Sequence, residues 1–440
     1  MARARERSRG RALFLSGGLF LAAAASPGTA DPPQSRRVVV TGEMSGYLEP
    51  CGCAKPMIGG LPRRATMLAQ RPPWILVDNG DTAGGVGRQQ EMKLGVAARS
   101  LVAMGYDAVN VGEKDLRLGP AFTVVRDQVP VPFVSANIFL AGEESPLFPP
   151  SVRREKPAGS ALIVGVLAEE LAAEVLSQSP FLEVRPAREA LAAEVAKAKP
   201  GDAVIALVHG TVEQAARILA GMKGKIDLAV VAHEGDEPAE HIRDVAGIAA
   251  VLPGQRGKHL CEVTLGAEPS LAITDLEEKW KGHEAITKLF DDYQGELRDQ
   301  DLLGQVVPTP PRTEDTYAGT ASCTACHPAA ARKWEESKHS HAWKTLEDAR
   351  HDADPECVGC HTVGFGVVSG FVATPRTPAL VNVGCESCHG PSSRHAVDGT
   401  TPTSGQNVHG QERCAPCHVP EHSPGFDFTT YWPQIAHGSD

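Results

Sequence analysis

Between residues 37 and 270, short apolar runs alternate with segments whose apolar positions recur at steps of three and four. The runs at 38–40, 74–77, 107–111, 131–135, 161–167, 203–208, 228–232 and 260–265 are short enough to be buried strands. Segments 91–104, 187–198 and 212–222 carry a helical rhythm. Strands alternating with helices predict an α/β domain of mixed sheets flanked by helices. Polar residues that follow the carboxyl ends of such strands are where a site is expected. From about 275 to 303, Leu276, Trp280, Ala285, Ile286, Leu289, Phe290, Tyr293 and Leu297 predict one amphipathic helix, packed on the front domain or bridging to the next. Val307-Pro308-Thr309-Pro310-Pro311 then forms a short, stiff linker, so 275–312 reads as the joint.

Beyond the joint the pattern changes. Cys-x-x-Cys-His occurs four times, at Cys323–Cys326–His327, Cys357–Cys360–His361, Cys385–Cys388–His389 and Cys414–Cys417–His418. Two thiols at this spacing can add to the vinyl groups of one haem, and the following His then lies under the iron. Paired zinc sites are the alternative for a single copy; four copies, each with its His, point to four c-type haems. The stretch from Cys323 to His437 holds 115 residues. Such a chain has little apolar surface of its own to bury, so short helices and loops packed on porphyrin are expected. Seven further histidines, His339, His341, His351, His395, His409, His422 and His437, can supply sixth ligands. An iron with two His ligands is set for electron transfer, whereas a free position admits a small molecule.

Residues 1–30 read as a signal peptide: Arg3, Arg5, Arg7, Arg9 and Arg11 precede an apolar stretch from Ala12 to Ala25 and a small-residue exit at Pro27-Gly28-Thr29-Ala30. The apolar run is short for a membrane span, so the mature chain is expected in the periplasm or otherwise exported, without a transmembrane segment. Export agrees with haem attachment, which bacteria complete outside the cytoplasm. The 440-residue chain has formal charge −11, and loss of residues 1–30 leaves 38 basic and 53 acidic residues. No basic patch interleaved with aromatics is present, which argues against nucleic-acid binding. From Thr313 onward there are 8 basic and 15 acidic residues, a surface that would steer basic redox partners or other multihaem cytochromes. Eight of the 11 cysteines belong to the haem motifs. Cys51 and Cys53 form a pair for metal or redox chemistry, or are loop cysteines; adjacent but one, they do not readily bridge each other. Cys261 reads as a small buried apolar residue.

The front residues resemble the metallophosphoesterase superfamily, in its 5′-nucleotidase branch, over residues 37–270. Thr41-Gly42-Glu43-Met44-Ser45 resembles the opening Asp-x-His motif, Gly59-Gly60-Leu61-Pro62-Arg63-Arg64 the Gly-Gly-x-x-Arg stretch, and Asn79-Gly80-Asp81-Thr82 the motif whose Asp bridges two metals. Gly112-Glu113-Lys114-Asp115 stands where the family has Gly-Asn-His-Glu, Val208-His209-Gly210 resembles the next His motif, and Ala232-His233-Glu234-Gly235 the terminal Gly-His-x-His. The resemblance implies an α/β sandwich with a metal site. This chain keeps Asp81, His209 and His233 but has Glu43, Ser45, Glu113, Lys114 and Gly235 where the family has other ligands. Two ions in a hydrolytic clamp need a closed ligand set. The remaining Glu43, Asp81, Glu113, His209 and His233 suit one divalent ion, manganese, iron or zinc, or stand as solvated loop residues without metal.

The tail resembles the tetrahaem cytochrome c-554 family over residues 315–438, through Tyr317-Ala318-Gly319, Trp334, Ser337-Lys338-His339, Cys388-His389-Gly390-Pro391 and His395. That resemblance implies distal ligands at His339, His395 and His437, with His341 as a substitute for His339, and one five-coordinate haem. Proximal ligands are then His327, His361, His389 and His418. The expected function is electron transfer through four covalently bound haems, with the degenerate front domain used for docking or ligand binding. Two other readings stand beside it. One is a metal-dependent phosphoester or sulfur-ester hydrolase coupled to haem redox; the other is a haem oxidoreductase acting on a nitrogen species. No catalytic residue is assigned.

Overall fold

Strand Arg37–Thr41 shows how the front region is assembled. Its side chains alternate: Val38 and Val40 point to one hydrophobic cluster, and Val39 to another. A strand apolar on both faces has to lie between two layers. The computed structural model describes residues 36–50, 56–311, 313–405, 410–420 and 422–438. The signal-peptide reading of residues 1–30, the Cys51/Cys53 pair and His409 lie outside the described residues.

Two six-stranded sheets form the centre. The first runs Ser270–Asp275, His259–Thr264, Arg37–Thr41, Ile75–Asp78, Ala108–Asn110 and Phe133–Val134 in spatial order. The second runs Arg243–Val245, Ile248–Val251, Leu228–Val231, Ala203–His209, Gly159–Leu167 and Ser151–Lys156. In the first sheet the four strands from Arg37–Thr41 to Phe133–Val134 are parallel and the two on the other side antiparallel; in the second the central strands are parallel and both outer pairings antiparallel. Ile75, Val77, Ile163, Ile205, Leu207, Val230 and Cys261 meet between the sheets. Helices cover the outer faces: Leu94 and Leu101 of Arg88–Met104 lie on the first sheet, and Leu191 and Leu219 on the second. The mixed-sheet sandwich flanked by helices is the expected fold class. Cys261 is fully buried, and burial pushes its thiol up to about 12, so it is a packing residue.

Sequence periodicity drew the helix of the joint too long. Ser270–Asp275 is an edge strand paired with His259–Thr264, and the helix spans Glu284–Asp299. Leu276 and Trp280 belong to the cluster under the first sheet, whereas Ile286, Tyr293 and Leu297 pack with Met92, Val96 and Leu48. Two separate packing faces thus read as one helical stripe. Thr309 of the proline-rich linker forms a parallel bridge to Val367.

The region after the linker is short helices and turns, with isolated bridges in place of sheet. Its apolar cluster is small: Leu303, Trp343, Leu346, Val358, Val363, Phe371 and Leu380. The second Cys-x-x-Cys-His motif lies on the helix Pro355–His361. Asp354 caps it by accepting from the Glu356 N–H and also accepts a bond from Gln89 of the helix Arg88–Met104 (2.7 Å). Gln90 and Lys93 of that helix both reach Glu356 (2.7 and 2.5 Å), and Arg298 pairs with Asp352 (2.8 Å). The second motif is therefore seated directly on the front region. Among the described residues, no helix is long and apolar enough to cross a membrane.

Candidate functional site

Four of the ten non-glycine residues with positive φ in the described chain are Glu43, Ser45, Asp81 and His233. Each follows the carboxyl end of a parallel strand, and left-handed backbone disfavours residues with a Cβ, so the strain clusters at one place. That place is the meeting edge of the two sheets. Asp81 follows Ile75–Asp78, Glu113 follows Ala108–Asn110, His209 ends Ala203–His209, and His233 follows Leu228–Val231. One ligand atom from each of Asp81, Glu113, His209 and His233 lies within 4.8 Å of the others.

His209 sets the geometry. Its Nδ1 lies 2.6 Å from the Asn79 carbonyl oxygen, which can only accept, so Nδ1 carries hydrogen. Nε2 then faces His233 Nε2 at 2.9 Å, Glu113 Oε2 at 3.0 Å and Asp81 Oδ1 at 3.5 Å. Glu43 stands behind His233 instead of in this set. Its Oε2 accepts from the His233 backbone N–H (3.0 Å), and its Oε1 is 3.6 Å from His233 Nδ1. A carboxylate on the far ring nitrogen orients an imidazole toward a metal. Lys114 extends its Nζ to Asp81 Oδ2 (2.9 Å) and Ser45 Oγ (3.1 Å).

Burial acts to lower the basicity of His209, but Asp81 and Glu113 outweigh it and raise it well above its ordinary value. Burial likewise acts to raise the Glu113 carboxyl, yet hydrogen bonds and charge from His209 and His233 hold it below its usual range. Burial raises the Glu43 carboxyl, only partly opposed by the two histidines.

Asp115 was not marked as a site residue by the sequence. It is fully buried and accepts from the backbone N–H groups of Asp81 (3.0 Å), Ala83 (2.9 Å) and Gly112 (3.0 Å), which ties the Asp81 turn to the Glu113 turn. Burial, followed by the neighbouring Asp81 charge, pushes its carboxyl up to about 7. An acid three residues into a helix after a glycine is the available signal. Gly112 has φ −99, open to any residue, but a Cβ there would meet Asp81 Oδ1 and lie 2.7 Å from His209 Nε2. Gly112→Ala is expected to destabilise the front region by about 2 kcal/mol through overpacking, read as a lower denaturation midpoint.

The tail gathers its histidines in pairs. His327 and His395 stack with ring centres 6.0 Å apart, His389 and His437 lie 5.8 Å apart, and His339 and His418 lie 6.3 Å apart. An iron taking one nitrogen at about 2 Å from each of two imidazoles separates ring centres by roughly 6 Å. The residues therefore fit haem iron between them. Nδ1 of His395 meets the Thr401 carbonyl (2.9 Å), and Nδ1 of His418 meets Ser423 Oγ (2.9 Å), which leaves Nε2 to turn inward. His361 Nδ1 meets the Ala342 carbonyl (2.7 Å). Among the described residues no imidazole stacks on His361. His341 is exposed, while His339, two residues earlier, faces His418. His351 packs edge-on to Phe290 of the front region. The thiols of Cys323 and Cys385 lie close to each other, as do those of Cys360 and Cys417, so the first motif adjoins the third and the second adjoins the fourth. Tyr317, Cys360, Thr362, Val383, Glu386 and Cys417 line one cleft between them.

Glu386, between the two cysteines of the third motif, is a structural residue the sequence did not reveal. It is 3% exposed and accepts from the N–H groups of Ala318 (2.9 Å), Gly319 (2.7 Å) and Ser392 (2.9 Å). It thereby pins the segment before the first motif and the turn after the third.

A two-sheet sandwich with acids and imidazoles at its carboxyl edge resembles the metallophosphoesterases in fold. The imidazole pairs among Cys-x-x-Cys-His helices mark a c-type cytochrome region behind it. Residues 322–390 match the family described as cytochrome c554 and c-prime. The chain is similar to cytochrome c-554 of Nitrosomonas europaea at 33% identity, over 23% of this chain and 57% of that protein's length. The front fold is similar to the sulfate thiohydrolase SoxB of Thermus thermophilus, in complex with glycerol, at TM-score 0.50 and 17% identity, covering 68% of this chain and 69% of the other. A calcineurin-like phosphoesterase, YfkN of Bacillus subtilis, is similar at TM-score 0.48 and 17% identity, over 59% of this chain and 96% of that one.

Proposed function

We propose that this chain is an exported electron-transfer protein that carries four c-type haems, with a front α/β domain that docks a partner or binds a small ligand. The observation that carries this reading is the set of three imidazole pairs at about the spacing one iron needs. The axial sets are His327 with His395, His389 with His437, and His418 with His339. His361 is the single proximal ligand of the fourth haem. Thioethers form on Cys323 and Cys326, Cys357 and Cys360, Cys385 and Cys388, and Cys414 and Cys417. When bound, the haems supply one-electron chemistry; the chain supplies ligation, spacing and covalent attachment. The domains proposed are residues 37–270 in front and 315–438 behind, joined by 275–312.

The test is haem counting on the protein expressed with cytochrome maturation. Four haems per chain are expected, and fewer than four sinks the reading. The acid–imidazole cluster favours a second reading, hydrolysis of a phosphoester or sulfur ester coupled to the haems. Turnover of a generic phosphoester that disappears in Asp81→Ala would establish it. Among the described residues no imidazole pairs with His361, which favours a third reading, chemistry on a small nitrogen species at that iron, and cyanide titration tests it.

A further inference from the structure

The front cluster is crowded with buried carboxyl groups. Glu43, Asp81, Glu113 and Asp115 are all buried, with relative exposures of 1%, 0%, 5% and 0%. Lys114 is the ammonium that reaches Asp81, and buried carboxylates without matching cations or protons are strongly disfavoured. Glu43 Oε1 is buried without a hydrogen-bond partner in the described structure. On the imidazole side, Nε2 of His209, Nε2 of His233, Glu113 Oε2 and Asp81 Oδ1 converge. One proton shared between the two ring nitrogens leaves both carboxylates only partly neutralised. A divalent ion satisfies all four, and mixed imidazole and carboxylate donors suit manganese, iron or zinc.

The other side of Asp81 is different. Oδ2, the oxygen that would bridge to a second ion, is 2.9 Å from Lys114 Nζ, and the same ammonium meets Ser45 Oγ at 3.1 Å. The Lys114 backbone N–H also donates to Asp81 Oδ1 (3.0 Å), so the lysine is held at the carboxylate by main chain and side chain together. Ser45, a hydroxyl where an imidazole would be needed, offers the ammonium an acceptor and offers an ion little. We propose that the Lys114 ammonium is a tethered cation standing in place of a second metal, so the front site takes one divalent ion on Asp81, Glu113, His209 and His233 and excludes another. Glu43 acts as a positioning residue behind His233. The inference does not depend on the number of haems.

The test uses the haem-loaded full chain, equilibrated with Mn(II) and freed of excess ion, with non-haem metal counted by elemental analysis and haem counted separately. One manganese per chain is expected in the natural protein, none in His209→Ala and two in Lys114→His. Zero or two ions in the natural protein overturns the proposal. A folded Lys114→His that still takes one ion overturns the role given to the ammonium. If Lys114→His does not fold, Lys114→Met decides: with the repelling charge gone, the first Mn(II) should bind about tenfold more tightly. Unchanged or weaker binding overturns the proposal.

Discussion

Replacing His395 with alanine is expected to turn one low-spin iron per chain high-spin, and His437→Ala and His339→Ala should each do the same to a different haem. The argument is the pairing itself: each of these rings faces one motif histidine at 5.8 to 6.3 Å between centres. An imidazole removed from one side of an iron leaves a position that water or an added ligand can fill. Titration with cyanide should find one binding equivalent in the natural protein, at the haem of His361, and two in each single variant. His341→Ala should leave the spectrum unchanged, because that side chain is exposed. Identical spectra in the natural protein and all three variants would remove the axial assignment. No cyanide uptake in the natural protein would show that the fourth iron has a sixth ligand.

Glu386→Ala should cost about 3 kcal/mol of stability in denaturant unfolding followed at the haem band. Three backbone donors, from Ala318, Gly319 and Ser392, lose their acceptor in a place where water is largely excluded. Hydrogen bonds to a charged group are worth more than neutral ones, and an unmet buried donor costs more than the bond contributed. Glu386→Gln keeps one carbonyl oxygen and should lose about half as much. An alanine variant within about 0.5 kcal/mol of the natural protein would mean that solvent reaches these groups.

The strands of the front region were legible because they are buried on both faces. Val38-Val39-Val40 and the run from Ala203 to Val208 have nothing polar to interrupt them, and their sandwich position is the reason. The stretch around Leu276 and Trp280 was misread because spacing reports which residues are apolar, not which cluster they join. Edge strands such as Ser151–Lys156, with burial mostly partial, carry no apolar run at all. Of the candidate site, Asp81, Glu113, His209 and His233 could be gathered from sequence motifs. The displacement of Glu43 to the back of His233 depends on backbone angles at both residues and has no linear signature. Lys114 was visible as a departure, but not as a side chain lodged against Asp81. Which distal histidine meets which motif was equally hidden: His395 returns to the first motif and His437 to the third, across loops whose closure only tertiary structure reveals.

The polar seam between Gln89, Gln90 and Lys93 on one side and Asp354 and Glu356 on the other ties the second motif to the front half. Under the proposed reading, a haem on that motif stands beside the front half, and a ligand or partner held there has that haem within reach of the same seam.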